Sequence, residues 1–118
     1  MRFKVEVLPA ADFDAWLAAE ARPARIVSDE GLAVFTSAGC GACHTIRGTQ
    51  AAGTVGPDLT HFAGRQMMAA GVLPQDRATL RAWVRDPDTL KPGALMPAYP
   101  DLPDDRMEPL LDFLAGLE

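Results

Sequence analysis

The chain has 118 residues, 48% of them hydrophobic and 23% charged, the composition of an ordinary globular protein with room for one domain and a short appendage. Eleven basic against 16 acidic residues give a net charge of -5, which argues against a phosphate-backbone partner and sets nucleic-acid binding aside. No apolar run approaches the roughly 18 residues of a spanning helix, and Met1-Arg2-Phe3-Lys4 lacks the basic-then-apolar layout of a signal peptide, so a soluble chain is expected.

Residues 2–8 alternate, with Phe3, Val5 and Val7 on one side and Arg2, Lys4 and Glu6 on the other, which predicts a half-buried strand closed by Pro9. No second convincing strand follows, so its ladder partner is expected outside this chain, in a larger protein or a partner subunit; a frayed arm is the plainer alternative. Phe13, Trp16 and Leu17 stand at i, i+3, i+4 and predict a short helix reaching Glu20, ended by Arg22-Pro23, with residues 21–27 as a linker. Ser28 is placed to cap a helix containing Leu32 and Phe35 that runs into Gly39-Cys40. Residues 47–59, with Gly48, Gly53, Gly56 and Pro57, read as loop, and residues 58–70 as holding a short helix. Leu80, Trp83 and Val84 mark a helix between Pro74 and Pro87. Five prolines at 87, 92, 97, 100 and 103 predict an irregular segment. The last helix puts Met107, Leu110, Leu111 and Leu114 on one face, with Asp105 and Glu108 as an expected capping box and Pro109 at or just past the first turn. Four short helices with 7% aromatics make a thin apolar core for some 90 residues, which suggests that something else fills the middle.

Two cysteines are too few for a disulfide scaffold, and their placement decides the reading. Cys40-Gly41-Ala42-Cys43-His44 is the c-type haem attachment pattern. Two thiols three positions apart at a helix end can each add to one vinyl group of a single porphyrin, and the adjacent imidazole is then held beneath the ring as the proximal iron ligand. A structural zinc site would want four ligands, yet outside this motif the chain offers no cysteine and one histidine, His61. A thioredoxin-like dithiol would want a βαβ setting, and a plain disulfide would leave His44 without a role.

A haem iron that carries electrons needs a sixth ligand, and a thioether suits because it raises the potential. Met107 sits on the apolar stripe of the last helix, Met67 and Met68 stand together near a helix end, and Met1 is terminal. Met96 is the favoured ligand, because it follows Lys91-Pro92-Gly93 and precedes Pro97 in a segment whose prolines can aim the sulfur. His61 is the other candidate and would make a bis-histidine site. Trp83 is either core or a donor to a haem propionate, and Arg65 and Arg47 are further candidates to neutralise propionates. A turn at Gly56-Pro57 can supply a carbonyl that accepts the proximal imidazole N–H.

With these motifs in hand, residues 31–118 resemble class I cytochromes c: Cys40-Gly41-Ala42-Cys43-His44, then Gly56-Pro57-Asp58-Leu59, Trp83-Val84-Arg85-Asp86-Pro87, and Lys91-Pro92-Gly93-Ala94-Leu95-Met96-Pro97. Leu59-Thr60-His61-Phe62 with Arg65, Ala69-Ala70-Gly71-Val72-Leu73 and the segment from Asp86-Pro87 to Met96-Pro97 are similar to the C-terminal cytochrome c domain of subunit II of caa-type cytochrome c oxidases. Met1-Arg2-Phe3-Lys4-Val5 and Phe13-Asp14-Ala15-Trp16-Leu17 resemble the closing strand and following helix of the copper-binding cupredoxin domain of the same subunit.

The resemblance implies a mainly α, small class I cytochrome c fold wrapped around one covalent haem c, preceded by a short strand and helix left from a cupredoxin domain. Residues 1–27 are then an N-terminal extension and residues 28–118 the cytochrome c domain. It implies Cys40 and Cys43 as thioether attachments and His44 and Met96 as axial ligands; Pro57, Trp83 and Arg65 are kept from the reading of the residues as further cofactor-binding candidates, and no catalytic residue is expected. It also implies a parent subunit with membrane helices and an upstream dinuclear copper centre, held at the outer, periplasmic face of a bacterial membrane. The expected partners are the rest of the oxidase and a soluble donor or a bc-type complex. The isolated domain is expected to carry electrons rather than catalyse. A free periplasmic cytochrome c, a haem sensor or peroxidase with an open sixth site, and a zinc-binding module are the competing readings.

Overall fold

The structure, a computed structural model, describes residues 5–118. Its elements in chain order are α1 (Ala10–Glu20), α2 (Asp29–Ser37), a single 3-10 turn (Cys40–Ala42), β1 (Met67–Met68), β2 (Leu73–Pro74), α3 (Arg77–Arg85), α4 (Pro87–Leu90) and α5 (Asp104–Ala115). The mainly helical fold expected from the sequence is the fold observed.

Two helices make the frame. Ser28 Oγ accepts from Gly31 N at 3.0 Å, and Asp29 and Glu30 place negative charge in the first turn of α2, where the helix dipole favours it. The helix turns Val34 and Phe35 inward and ends where Gly39 takes a left-handed backbone, φ +78°. α5 turns Met107, Leu110, Leu111, Phe113 and Leu114 inward, as its apolar stripe predicts. The two helices meet at Gly31, where a Cβ would lie 2.3 Å from both Phe113 Cβ and the Pro109 carbonyl oxygen. Phe35 and Phe113 close the contact with ring centroids 5.7 Å apart.

Pro109 lies inside α5, beyond its first turn, and lacks the N–H that would bond the Asp105 carbonyl. The helix runs on through it. The expected capping box does not form, because the helix begins two residues earlier, after Pro103, and Glu108 is turned to arginines instead. Arg77, Arg81 and Arg85, four apart on α3, face Asp104, Glu108 and Asp112, four apart on α5. Arg77 reaches Asp112 at 2.5 Å, Arg81 and Arg85 reach Asp104 at 2.9 and 2.7 Å, and Glu108 takes both Arg77 and Arg81. The partners are substantially exposed, so each pair contributes at most about 1 kcal/mol, and the ladder mainly fixes the register of α3 against α5.

Elsewhere the structure departs from the sequence reading. Residues 5–8 form no strand and are exposed, since no ladder partner stands beside them among the described residues; the remainder of that expected strand lies outside the described residues. No helix forms in residues 58–70. Asp58 Oδ1 instead accepts from Thr60 N at 2.8 Å and from the Thr60 hydroxyl, a side-chain turn that competes with helical bonding. That segment ends in a two-stranded antiparallel hairpin pairing Met67 with Pro74 and Met68 with Leu73. The proline-rich segment is not wholly irregular. Asp86 accepts from Thr89 N and Oγ1, and Pro87, at the first helical position where its missing N–H costs nothing, opens the one-turn α4.

Because the α2–α5 crossing has no room for a methyl group, Gly31→Ala should destabilise the protein by about 1–3 kcal/mol or more. Urea unfolding followed by helical circular dichroism measures it, and an unchanged midpoint would show that the crossing is looser than described.

Candidate functional site

The end of α2 delivers the cysteine motif. Cys40 opens the 3-10 turn, Cys43 N and His44 N donate to Cys40 O at 3.1 and 3.0 Å, and both cysteines are free thiols of intermediate exposure. The following loop folds back over the motif. Gly53 N donates to Gly41 O at 3.1 Å, Gly56 N to Cys43 O at 2.7 Å, and Leu59 N to Thr45 O at 2.8 Å, while Ile46 is fully buried beneath. Glycine is required at two of these positions by close approach, not by dihedral angle. A Cβ on Gly53 would lie 2.4 Å from the Ala42 carbonyl oxygen, and one on Gly56 would lie 2.6 and 2.7 Å from His44 Cε1 and Nδ1.

The His44 ring is held through one of its two nitrogens. Nδ1 lies 2.8 Å from the Pro57 carbonyl oxygen, which accepts its proton. Nε2 makes no hydrogen bond among the described residues, so the tautomer with a bare Nε2 lone pair is the one the loop selects.

Met96 lies on the loop after α4, part-buried against the same core as Cys40, Trp83 and Tyr99. Tyr99, which the sequence reading did not single out, joins the two halves. Its hydroxyl donates to Ala38 O at 3.1 Å, at the end of the helix that leads into Cys40, and its N–H donates to Val84 O at 3.1 Å, on α3. Burial pushes the Cys40 thiol up from its ordinary value, a hydrogen bond with Tyr99 pulling the other way, so the group stays a neutral thiol. The only hint of Tyr99 in the sequence was an aromatic residue between prolines, three positions after Met96.

Of the remaining candidates, Trp83 is half-buried on α3, and its indole N–H makes no hydrogen bond among the described residues. Arg65 donates to the Asp58 carbonyl and lies 5.8 Å above the Phe62 ring. Arg47 pairs with Asp58 at 2.9 Å and donates to the Glu20 carbonyl. His61 is turned to the linker, its Nε2 3.1 Å from the Arg22 carbonyl oxygen. Met107 is fully buried on α5, Met68 is buried and Met67 exposed on the hairpin, and Met1 lies outside the described residues.

This donor set fits a haem c: paired thiols at one helix end, an imidazole oriented through one nitrogen and bare at the other, and a thioether on a proline-framed loop against the same core. The fold and site thus define a small helical domain built for a covalent haem. The chain belongs to the cytochrome c family, whose family model matches residues 28–118, and the family implies covalently bound haem c. It is 38% identical, over its whole length, to 35% of a cytochrome c oxidase subunit 2 from Alkalihalophilus pseudofirmus. It is 32% identical, again over its whole length, to 35% of the cytochrome c oxidase subunit 2 proteins of Bacillus subtilis and of Bacillus sp. PS3. The chain therefore spans about a third of the length of these relatives. Among the described residues no helix is long and apolar enough to cross a membrane.

Asp58 ties the loop together. Burial raises its carboxyl, but the hydrogen bonds from the Thr60 hydroxyl and N–H and the charges of Arg47 and Arg65 outweigh this and hold it below its ordinary value. A depressed carboxyl stabilises the fold fully above its unfolded value of about 3.9 and loses that contribution as pH falls through the folded value. Asp58→Asn should therefore lower stability by about 1 kcal/mol at neutral pH, the difference from wild type shrinking below pH about 4. Thermal unfolding midpoints of both proteins between pH 3 and 7, on the order of the carboxylate range, check it. A difference that does not change with pH would remove Asp58 from the acid limb.

Proposed function

We propose that the chain is the electron-transfer domain of subunit II of a caa-type cytochrome c oxidase. It would accept electrons from a soluble donor or a bc-type complex and pass them toward a dinuclear copper centre in the part of the subunit upstream. The observation that carries this reading is the extent of the similarity: it covers the whole chain, including residues 1–27, which lie before the cytochrome c match. A free periplasmic cytochrome c has no need of that extension, which is why it is the second reading. On this proposal residues 1–27 are the end of the copper domain and its connection, residues 28–118 are the haem domain, and the whole stands at the outer face of the membrane.

Within the domain, Cys40 and Cys43 would hold a single haem c through thioethers, and His44 and Met96 would be the residues that ligate its iron. When bound, the haem supplies a one-electron iron couple whose potential a thioether raises. The protein's part is to keep both ligands in place in either oxidation state. The Pro57 carbonyl orients the imidazole, and the loop of Gly53 and Gly56 covers the motif. On this reading Trp83, whose indole N–H makes no hydrogen bond among the described residues, and Arg65 would be the propionate partners.

Met96→Ala should leave the haem attached, open the iron to carbon monoxide, and lower the potential by at least about 59 mV, the equivalent of a tenfold lost preference for ferrous iron. Visible spectra of the oxidised, reduced and carbon monoxide-treated proteins, with a redox titration, decide it. An unchanged spectrum would move the ligand to Met67, Met68 or His61. Cys40→Ala should reduce stable haem incorporation, and full covalent attachment in that variant would end the two-thioether assignment.

The oxidase reading is tested by reduction of the domain with a cytochrome donor, followed by transfer to the purified copper domain of a relative. Rapid onward transfer supports it. Donor reduction without onward transfer favours the free carrier.

A further inference from the structure

Lys91 is the single lysine among the described residues, and its ammonium has no carboxylate partner among them, whereas Arg47, Arg77, Arg81 and Arg85 are all ion-paired. Lys91 Nζ instead donates to the Ala69 carbonyl oxygen at 3.0 Å, in a partly buried position. The receiving end is unusual as well. Ala69 and Ala70 sit at φ 52° and 61°, and Gly71 at 76°, so two residues with a Cβ hold a left-handed backbone at the turn of the β1–β2 hairpin. Such a turn persists only where its surroundings hold it.

Lys91 also begins the Met96 loop. Its N–H donates to Pro87 O at 2.9 Å, its carbonyl accepts from Ala94 N at 3.0 Å, and Gly93 N donates to Asp88 Oδ1 at 2.7 Å. Beyond that turn, residues 95–98 make no hydrogen bond among the described residues until Tyr99 N reaches Val84 O. Met96 therefore hangs between two anchors, one at residues 88–94 and one at Tyr99. Among the described residues, the Lys91 to Ala69 bond is the hydrogen bond that ties the first anchor to a part of the fold beyond α3 and α4.

The geometry points to Lys91 as a positioning residue for Met96, a strap that binds the ligand loop to the hairpin and holds the thioether in place against competing ligands. The inference rests on the proposed ligation by Met96. Removing the ammonium frees the loop and leaves a partly buried carbonyl unpaired, while arginine at the same position keeps a donor.

The test uses the ferric haem-loaded protein with imidazole as the competing ligand, followed by the weak far-red band of methionine bound to ferric haem. Lys91→Met is expected to bind imidazole about tenfold more tightly, the loss of one charge-assisted bond. Lys91→Arg should remain near wild type, as should Ala69→Gly, which relaxes the turn but keeps its carbonyl. The denaturation midpoint of Lys91→Met should change far less than its imidazole affinity, which separates a hold on the loop from a general loss of stability. An affinity within about threefold of wild type, or one that moves in step with the denaturation midpoint, overturns the strap and leaves the Met96 ligation standing. A wild-type protein without the far-red band overturns both.

Discussion

Everything in this fold is referred to one contact, the crossing of α2 over α5 at Gly31. With no side chain there, the backbone of α2 rests against Pro109 and Phe113, and the two most buried aromatic rings complete the joint. The crossing fixes the direction of α2, and so the place where its C-terminus presents Cys40. It also fixes α5, and through the three-rung ladder of arginines and carboxylates it fixes α3. From α3 hang α4 and the Met96 loop, the latter returning to α3 through Tyr99. Both halves of the proposed ligand set are thus positioned by one helix pair, although neither residue lies in a helix.

That division of labour explains why the site is made of loops. A helix would spread His44 and its supports along a cylinder, whereas the turn at Cys40–Ala42 and the glycine loop bring carbonyls and N–H groups within reach of the motif from two sides. Most of the ordering is done by backbone bonds: Gly53 to Gly41, Gly56 to Cys43, Leu59 to Thr45, and Pro57 to the imidazole. A backbone partner cannot swing away as a side chain can, so a ligand held in this way keeps its orientation through a change of charge at the iron. The cost falls on sequence choice, since Gly53 and Gly56 admit no substituent.

The frame and the motif were legible in the sequence because each rests on a local rule. Ser28 announces its helix through its own hydroxyl, the stripe of Met107, Leu110, Leu111 and Leu114 gives the buried face of α5, and the spacing of Cys40, Cys43 and His44 is chemistry written in five residues. What could not be read depended on contacts far apart in the chain. Asp105 and Glu108 have the spacing of a capping box, yet Glu108 faces arginines 31 and 27 positions earlier, and those won. Residues 58–70 have the length of a helix, but the Asp58 carboxylate takes the Thr60 N–H and hydroxyl, and the hairpin that ends the segment carries two alanines in a left-handed turn that no propensity predicts. Lys91 and Tyr99 look like ordinary loop residues until their partners, 22 and 61 positions away, are seen.

The same distinction applies to the segment between α1 and the rest of the domain. By composition residues 21–27 read as a linker, and a free linker would let the two ends wander over many ångströms. Four hydrogen bonds prevent that: Arg47 to the Glu20 carbonyl, His61 to the Arg22 carbonyl, Ala24 N to Arg47 O at 2.9 Å, and Arg25 N to Glu118 O at 3.1 Å. Pro23 packs where a Cβ on Gly48 would come within 3.0 Å, and Val27 lies against Gly116. The segment is therefore a docked strap with no slack between Glu20 and Arg25. Because Arg47 also pairs with Asp58, next to the Pro57 carbonyl that orients His44, the strap ends in the loop that covers the cysteine motif, and α1 is mounted on the part of the molecule where the electron would reside.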